Sequence, residues 1–303
     1  MKKIFAIYFI VFSFLEITAQ KAVIPFTINE YNRIILHYPI KNNMLNLVFD
    51  SGATINVLDS ALARKLDFAV ANNSKIALIS TSANVNFRAT IPIGKQMFKQ
   101  DSIFWGSWLN SNMKETSAML TLGKYVDGIV GYYNDYILEL DFKKNKLLIW
   151  DSLPSKYFES SKPAQVKLVD SNYGVVTSKR YGAHSLCMKT EMTFLDTLNL
   201  YPNMIIDTGN PLYLCLEVFE SSLFNKLVEF RRTKAESQKT ISLRIPELEI
   251  DTSFHKTYTV SHLEKNAANP YRSAVGGLLG VSFLRRYKRV ILDRKNQIAW
   301  FER

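Results

Sequence analysis

Two tripeptides of the form Asp-[Ser/Thr]-Gly stand out for the chemistry that they could perform together. One begins at Asp50 and the other at Asp207, and each directly follows an apolar run. Two carboxyl groups held about 3 Å apart cannot both be charged, so they share one proton and titrate as a unit. The ionised group can take a proton from water while the protonated group polarises a carbonyl oxygen. The pair therefore predicts hydrolysis by an activated water, with Asp50 and Asp207 as its catalytic residues.

The two residues after each aspartate suit a tightly turned active-site loop. Gly52 and Gly209 let the chain turn and bring backbone N–H groups towards the carboxylates. The hydroxyls of Ser51 and Thr208 can reach across to the opposite loop and hold the two loops together. A lone Asp-[Ser/Thr]-Gly is as well explained by an Asx-type turn. Two copies, each in the same context, favour the functional interpretation.

An internal repeat of about 150 residues gives each tripeptide the same surroundings. In each copy the tripeptide is followed by a helix-like segment, a β-rich stretch and two apolar residues before a glycine, Gly131 or Gly280. A Leu-Asp pair, a charged turn and a final apolar run complete both copies. The Pro- and Ser-containing segment 151–165 connects them. Each copy thus supplies one aspartate, which places the site between two pseudo-equivalent units.

Short apolar or alternating runs bounded by turn residues predict a mostly β protein with few, short helices. Two segments are predicted helices, Ser60–Leu66 with Asp59 or Ser60 as N-cap, and Val218–Phe230. The predicted strands are Ala22–Ile28, Asn32–Pro39, Met44–Phe49, Ile76–Ser80, Phe87–Ile93, Asp101–Trp105 and Ile137–Asp141.

The motifs FDSGAT and IDTGN, DGIVG and GGLLG, and LELDFKKNKLLIW and VILDRKNQIAWF resemble those of the aspartic protease superfamily. The first copy is similar to a retroviral-type protease, and the two-unit chain is pepsin-like in plan. The resemblance implies a bilobal acid-protease fold, with two pseudo-symmetric β-barrel-like lobes, short helices and an active site in the interlobe cleft. It implies a monomeric aspartic endopeptidase that acts on peptide or protein substrates and needs no cofactor.

The resemblance also assigns roles by position. Asp50 and Asp207 become the catalytic pair, braced by Ser51 and Thr208 with Gly52 and Gly209 beside them, and Gly131 and Gly280 become the small residues beneath the loops. The implied lobes are residues 20–158 and 159–303.

Two departures from that pattern keep a second hypothesis open. The second tripeptide continues as Asn210-Pro211, where small or hydroxyl residues are usual. A flap hairpin is expected within Ile76–Ile93, but no glycine-rich tip marks it. The alternative is a catalytically inactive protein of the same fold that binds peptide or glycan.

The N-terminus predicts export. Residues 1–19 combine Lys2 and Lys3 with an apolar run of about 12 residues, too short to span a bilayer as a helix. We interpret them as a cleaved signal peptide, with an uncleaved anchor as the alternative, and expect a periplasmic or secreted protein without stable membrane insertion.

Cys187 and Cys215 lie in apolar surroundings and could be buried thiols or one disulfide, a catalytic role being less favoured.

Charge and histidine placement exclude other classes of function. The net charge of +11 is scattered, with no basic tail or basic helix face, so an exported basic protein is favoured over nucleic-acid binding. The four histidines are dispersed without ligand spacing, which argues against a metal site.

Overall fold

The three-dimensional description comes from a computed structural model. It describes residues 20–40, 42–53, 56–66, 75–82, 85–95, 107–120, 122–123, 126–132, 136–159, 161–169, 186–194, 198–218, 220–233, 241–248, 250–254, 258–262 and 275–303. The predicted signal peptide and the predicted strand Asp101–Trp105 lie outside these residues.

Strands dominate the described residues, which confirms the mostly β class. The strands are β1 Gln20–Ile28, β2 Ile34–Ile40, β3 Asn43–Asp50, β4 Asn56–Asp59, β5 Lys75–Ser82, β6 Val85–Lys95, β7 Ser107–Ser111, β8 Gly128–Gly131, β9 Ile137–Asp141, β10 Lys146–Trp150, β11 Ala164–Lys167, β12 Cys187–Lys189, β13 Glu191–Phe194, β14 Leu198–Leu200, β15 Asn203–Ile206, β16 Leu214–Val218, β17 Ile241–Ile245, β18 Ile250–Phe254, β19 Tyr258–His262, β20 Val275–Leu279, β21 Arg289–Asp293 and β22 Ile298–Glu302. The helices are α1 Ser60–Lys65, α2 Met113–Leu120, α3 Ser221–Thr233 and α4 Val281–Leu284, with a 3-10 turn at Pro246–Leu248.

The strands form three sheets. The largest has 13 strands in the order β11-β22-β21-β9-β10-β1-β2-β3-β8-β4-β7-β6-β5. A second sheet has the order β12-β15-β20-β16-β19, and a third the order β14-β13-β17-β18. One hydrophobic cluster joins buried side chains from both halves of the chain, including Phe49, Leu140, Ile206 and Leu292. The two halves therefore share a core.

The two halves repeat one arrangement of strands around the Asp-[Ser/Thr]-Gly tripeptides. In the first half β3 pairs in parallel with β8, β8 antiparallel with β4, and β4 in parallel with β7. In the second half β15, β20, β16 and β19 pair in the same order and with the same directions. A buried β-strand leads into each tripeptide, so both loops leave equivalent positions of equivalent sheets.

The hairpins β9–β10 and β21–β22 join the halves, because β9 and β21 are antiparallel neighbours. Both hairpins turn in the same way. The N–H groups of Lys144 and Asn296 donate to the carboxylates of Asp141 and Asp293. The next residue in each turn has a left-handed backbone, with φ of 53° at Asn145 and 54° at Gln297. The Leu-Asp pairs and charged turns of the sequence repeat are thus turn signals.

The connecting segment packs against both joined hairpins through a buried carboxylate. Glu139 of β9 is 1% exposed and accepts a hydrogen bond from Trp150 Nε1 at 3.0 Å and another from the Tyr157 hydroxyl. Arg289 of β21 lies 3.4 Å from Glu139 and donates to the Tyr157 hydroxyl at 3.1 Å. Tyr157 therefore ties the connection to one strand from each half.

The predicted strands within the described residues coincide with observed ones to within a few residues. Helix α1 begins after Asp59, whose carboxylate accepts from the N–H groups of Ala61 and Leu62, as an N-cap does. The predicted helix Val218–Phe230 begins too early, because Val218 ends β16, paired with Val275, and α3 starts at Ser221. The segment around Ile76–Ile93 is a hairpin, with Ile76 opposite Ile91 and Ser82 opposite Val85. Residues 83–84, where a flap tip is expected, lie outside the described part.

The register of the second sheet decides between the two interpretations of the cysteines. Cys187 lies opposite Ile205, Ile205 opposite Leu278, and Leu278 opposite Cys215. The two cysteines are therefore three strand spacings apart, about 14 Å. A disulfide needs Cα atoms within about 7 Å, so both are buried thiols. Among the described residues, no helix has the length and apolarity needed to cross a membrane.

Candidate active site

Equivalent strands carry the two aspartates to one place. Asp50 is the last residue of β3 and lies opposite Gly131 of β8. Asp207 follows β15 directly, and its N–H donates to the Leu279 carbonyl at 2.9 Å. The strand ends β3–β8 and β15–β20 thus present their tripeptides to each other.

The carboxyl groups of Asp50 and Asp207 are close neighbours, and the Asp50 carboxyl acts on the charge of Asp207. One shared proton avoids two like charges side by side. Both residues are half-buried. Asp50 Oδ1 accepts from the N–H groups of Gly52 at 2.9 Å and Ala53 at 3.0 Å. Asp207 Oδ1 accepts from the Gly209 N–H at 2.8 Å. The loop backbones therefore fix one oxygen of each carboxyl group.

The hydroxyls of Ser51 and Thr208 bind the two loops reciprocally. Ser51 Oγ donates to the Ile206 carbonyl at 2.7 Å and accepts from the Thr208 N–H at 3.0 Å. Thr208 Oγ1 donates to the Phe49 carbonyl at 2.8 Å and accepts from the Ser51 N–H at 2.8 Å. Both side chains are buried. The four bonds join residues more than 150 positions apart and set the separation of the aspartates.

The loop glycines lie under the opposite carboxyl groups. A Cβ atom on Gly209 would lie 2.3–2.5 Å from the three carboxyl atoms of Asp50. A Cβ on Gly52 would lie 2.9 Å from Asp207 Oδ1 and 3.3 Å from Asp50 Oδ1. The absence of a side chain at these positions lets the carboxyl groups approach each other.

Gly131 and Gly280 occupy the neighbouring strand ends with different roles. The Gly131 N–H donates to the side-chain oxygen of the fully buried Asn56 at 2.9 Å. A Cβ on Gly280 would lie 2.2 Å from the Leu212 carbonyl oxygen and 2.3 Å from that of Asn210. Gly280 therefore permits a close backbone approach beneath the second loop.

Burial raises the pKa of the Asp207 carboxyl well above its ordinary value, and the neighbouring Asp50 carboxyl raises it further. The Gly209 N–H and the positive charge of Arg33 oppose this rise without cancelling it. Asp50 Oδ1 accepts hydrogen bonds from two backbone N–H groups, whereas Asp207 Oδ1 accepts one. These contacts favour the protonated form of the Asp207 carboxyl.

Asn210 and Pro211, which depart from the usual pattern, are built into the loop. Asn210 Oδ1 accepts from the Leu212 N–H at 3.0 Å, and its carbonyl accepts from the Val281 N–H at 2.8 Å. Its Nδ2 atom is buried without a hydrogen-bond partner in the described part of the chain. The Pro211 carbonyl accepts from the side chains of Asn32 and Ser282. Asn210 and Pro211 are thus held around Asp207 by contacts of their own.

Three residues that sequence reasoning missed support the site. Arg33, 7% exposed, is close enough for its charge to act on both aspartates. Gly128 and Gly277 lie in β8 and β20, where a Cβ would meet the carbonyl oxygens of Val57 and Cys215 at 2.2 and 2.5 Å. Their presence in DGIVG and VGGLLG could have indicated that neighbouring strands approach closely there. No local sequence signal marks Arg33.

Thr208→Val is expected to lower the free energy of unfolding by about 3 kcal/mol, since it leaves the buried Ser51 N–H and Phe49 carbonyl without partners. Chemical denaturation followed by circular dichroism measures the change. Thr193→Val is the matched control, because the Thr193 hydroxyl makes an exposed 2.8 Å bond to Asn199; its effect should stay within about 0.5 kcal/mol. Equal losses in the two variants would contradict the bracing role.

Among the described residues, no three His, Cys, Asp or Glu side chains lie together as metal ligands would. Comparison of the chain with protein-family models gives no match. Comparison with curated proteins gives none either.

Proposed function

We propose that this chain is an aspartic endopeptidase with a bilobal acid-protease fold, one lobe from each half, and its active site in the cleft between them. The observation that carries the proposal is the close approach of the Asp50 and Asp207 carboxyl groups on reciprocally braced loops. A turn motif alone would need neither the cross-loop bonds nor the mutual approach of two carboxyl groups, which is electrostatically unfavourable unless a proton is shared.

The reaction follows from where the shared proton lies. A water held between the carboxyl groups attacks the peptide carbonyl carbon, gives a proton to the Asp50 carboxylate, and Asp207 gives its proton to the carbonyl oxygen. The tetrahedral diol then collapses: its C–N bond breaks, the amine nitrogen receives the proton held by Asp50, and Asp207 regains a proton from a diol hydroxyl. The chain ends the cycle as it began.

Peptide or protein substrates, an exported location and a monomeric state belong to the same proposal. The support for one chain carrying the whole site is that the two aspartates come from two halves joined through β9 and β21. A second chain is therefore not needed to complete the pair.

A proteome-derived peptide library, incubated with the purified chain at several pH values between about 3 and 7, tests the proposal. We expect internal peptide bonds to be cleaved, and a statyl inhibitor that mimics the tetrahedral diol to prevent it. Cleavage that resists the inhibitor would contradict the proposed mechanism. Retention of uncleaved peptides would instead indicate the binding-protein alternative.

A further inference from the structure

Arg33 lies beside the carboxyl pair, and the inference drawn from it rests on the proposed function. Strand β2 pairs antiparallel with β3, with Ile35 opposite Val48. Arg33 directly precedes β2, and continuing that register by two residues sets it level with Asp50. Residues level with each other in neighbouring strands lie on the same face. The Arg33 side chain is largely buried, although arginine is rarely fully buried unless it meets charge.

The turn that carries Arg33 is fixed within its own half. Asn29 Oδ1 accepts from the N–H groups of Tyr31 at 3.1 Å and Arg33 at 2.9 Å. The Asn29 N–H donates to the Arg33 carbonyl at 3.1 Å. These bonds close the turn between β1 and β2 and fix the orientation of the Arg33 backbone.

The same turn also docks on the other half of the chain through Asn32. Its backbone is left-handed, with φ of 58°, a conformation that asparagine tolerates better than most residues. Asn32 Nδ2 donates to the Pro211 carbonyl and to Ser282 Oγ at 2.8 Å, and Arg285 donates to Asn32 Oδ1 at 3.0 Å. Pro211 is four residues beyond Asp207, so the turn is held against the second active-site loop.

We propose that Arg33 is the fixed counter-charge of the Asp50–Asp207 pair, held in place by the Asn32 contact, and that it sets the lower pH limit at which the pair keeps its single proton. Two carboxyl groups that share one proton carry one negative charge, and one guanidinium neutralises it. A buried net charge is costly. The monoanionic pair with Arg33 is thus the favoured state of the site, whereas a second proton would leave Arg33 unbalanced.

Among the described residues, the charges of Asp50 and Arg33 act on the Asp207 carboxyl, and the charges of both aspartates act on Arg33. Arg285 approaches the turn by its bond to the Asn32 side chain. Arginine stays protonated throughout the acid range, so Arg33 acts as a constant positive charge while the pair titrates. Arg33 is a positioning residue and takes no proton from the substrate.

The test follows the carboxyl groups directly and does not depend on activity. The full chain is labelled with ¹³C at aspartate carboxyl carbons, and Asn variants assign the signals of Asp50 and Asp207. NMR then measures the midpoint pH at which the doubly protonated pair loses its first proton as the pH rises. Arg33→Gln should raise this midpoint by about one pH unit or more. Arg33→Lys, which keeps the charge, should stay closer to the unsubstituted chain, and Asn32→Ala should give a smaller rise.

An unchanged midpoint in Arg33→Gln overturns the proposal, as does an equal rise in Arg33→Lys. Should Arg33→Gln not fold, Asn32→Ala decides alone, since an unchanged midpoint there shows that the docked turn does not hold the charge. The pH–rate profile is a second measurement: the acid limb of the profile in Arg33→Gln should shift to higher pH by the same amount. Absence of cleavage by the unsubstituted chain at any pH refutes the proposed function and leaves the NMR result to judge Arg33.

Discussion

Asp50→Asn is expected to reduce peptide hydrolysis by roughly 10³–10⁴-fold while the protein still folds. The amide has the shape of the carboxyl group, and its oxygen can still accept from the N–H groups of Gly52 and Ala53. It cannot take a proton from water, so the activated nucleophile is lost. The initial rate of cleavage of a peptide identified from the library measures the effect.

Asp207→Asn should cause a loss of similar size for the complementary reason, because the proton donor to the carbonyl oxygen is removed. Asp151→Asn is the matched control. Asp151 is an exposed carboxylate whose salt-bridge partner is Lys21 at 3.8 Å. We expect its rate to equal that of the unsubstituted chain. Undiminished turnover in either site variant would refute the two-carboxyl mechanism.

The pH dependence of stability reports on the ionisation of the Asp50–Asp207 pair without any substrate. The pKa of Asp207 is raised in the folded chain by burial and then by Asp50. Above the ordinary pKa of aspartate the folded state therefore binds more protons than the unfolded state, and the free energy of unfolding falls as the pH rises through this window. In Asp50→Asn the contribution of the neighbouring carboxyl disappears, so that fall should become shallower. Denaturation at a series of pH values detects it.

The sequence predicts most of what depends on local chemistry. Strands such as β9 and the N-cap Asp59 follow from apolar periodicity and side-chain acceptors, which act over a few residues. The two Asp-[Ser/Thr]-Gly tripeptides follow equivalent strands in equivalent surroundings, and the strand pairing of each half reflects that repeat.

What depends on distant partners could not be predicted. Helix α3 begins later than expected because β16 continues to Val218 to pair with β20, a contact that no local pattern encodes. The separation of Cys187 from Cys215 depends on a row across four strands. Arg33 follows an ordinary turn and gains its place beside Asp50 only through the register of β2 with β3.

Gly209→Ala should reduce activity while it costs little stability. The added Cβ would lie 2.3 Å from Asp50 Cγ and 2.4 and 2.5 Å from its two oxygens, far inside contact distance. These atoms end a side chain, so Asp50 can swing away at modest cost to folding. A displacement of about 1 Å is enough to reduce hydrolysis by roughly 10²-fold. Cleavage rates and denaturation curves of the same preparation show both effects.

Gly280→Ala is the matched comparison, because its Cβ would meet the carbonyl oxygens of Leu212 and Asn210 at 2.2 and 2.3 Å. Backbone atoms cannot swing away, so here we expect the free energy of unfolding to fall by about 1–3 kcal/mol. Gly52→Ala should be milder than Gly209→Ala, since its nearest contact is 2.9 Å from Asp207 Oδ1. Full activity in Gly209→Ala would contradict this prediction. It would mean that the reaction does not depend on the exact position of the Asp50 carboxyl.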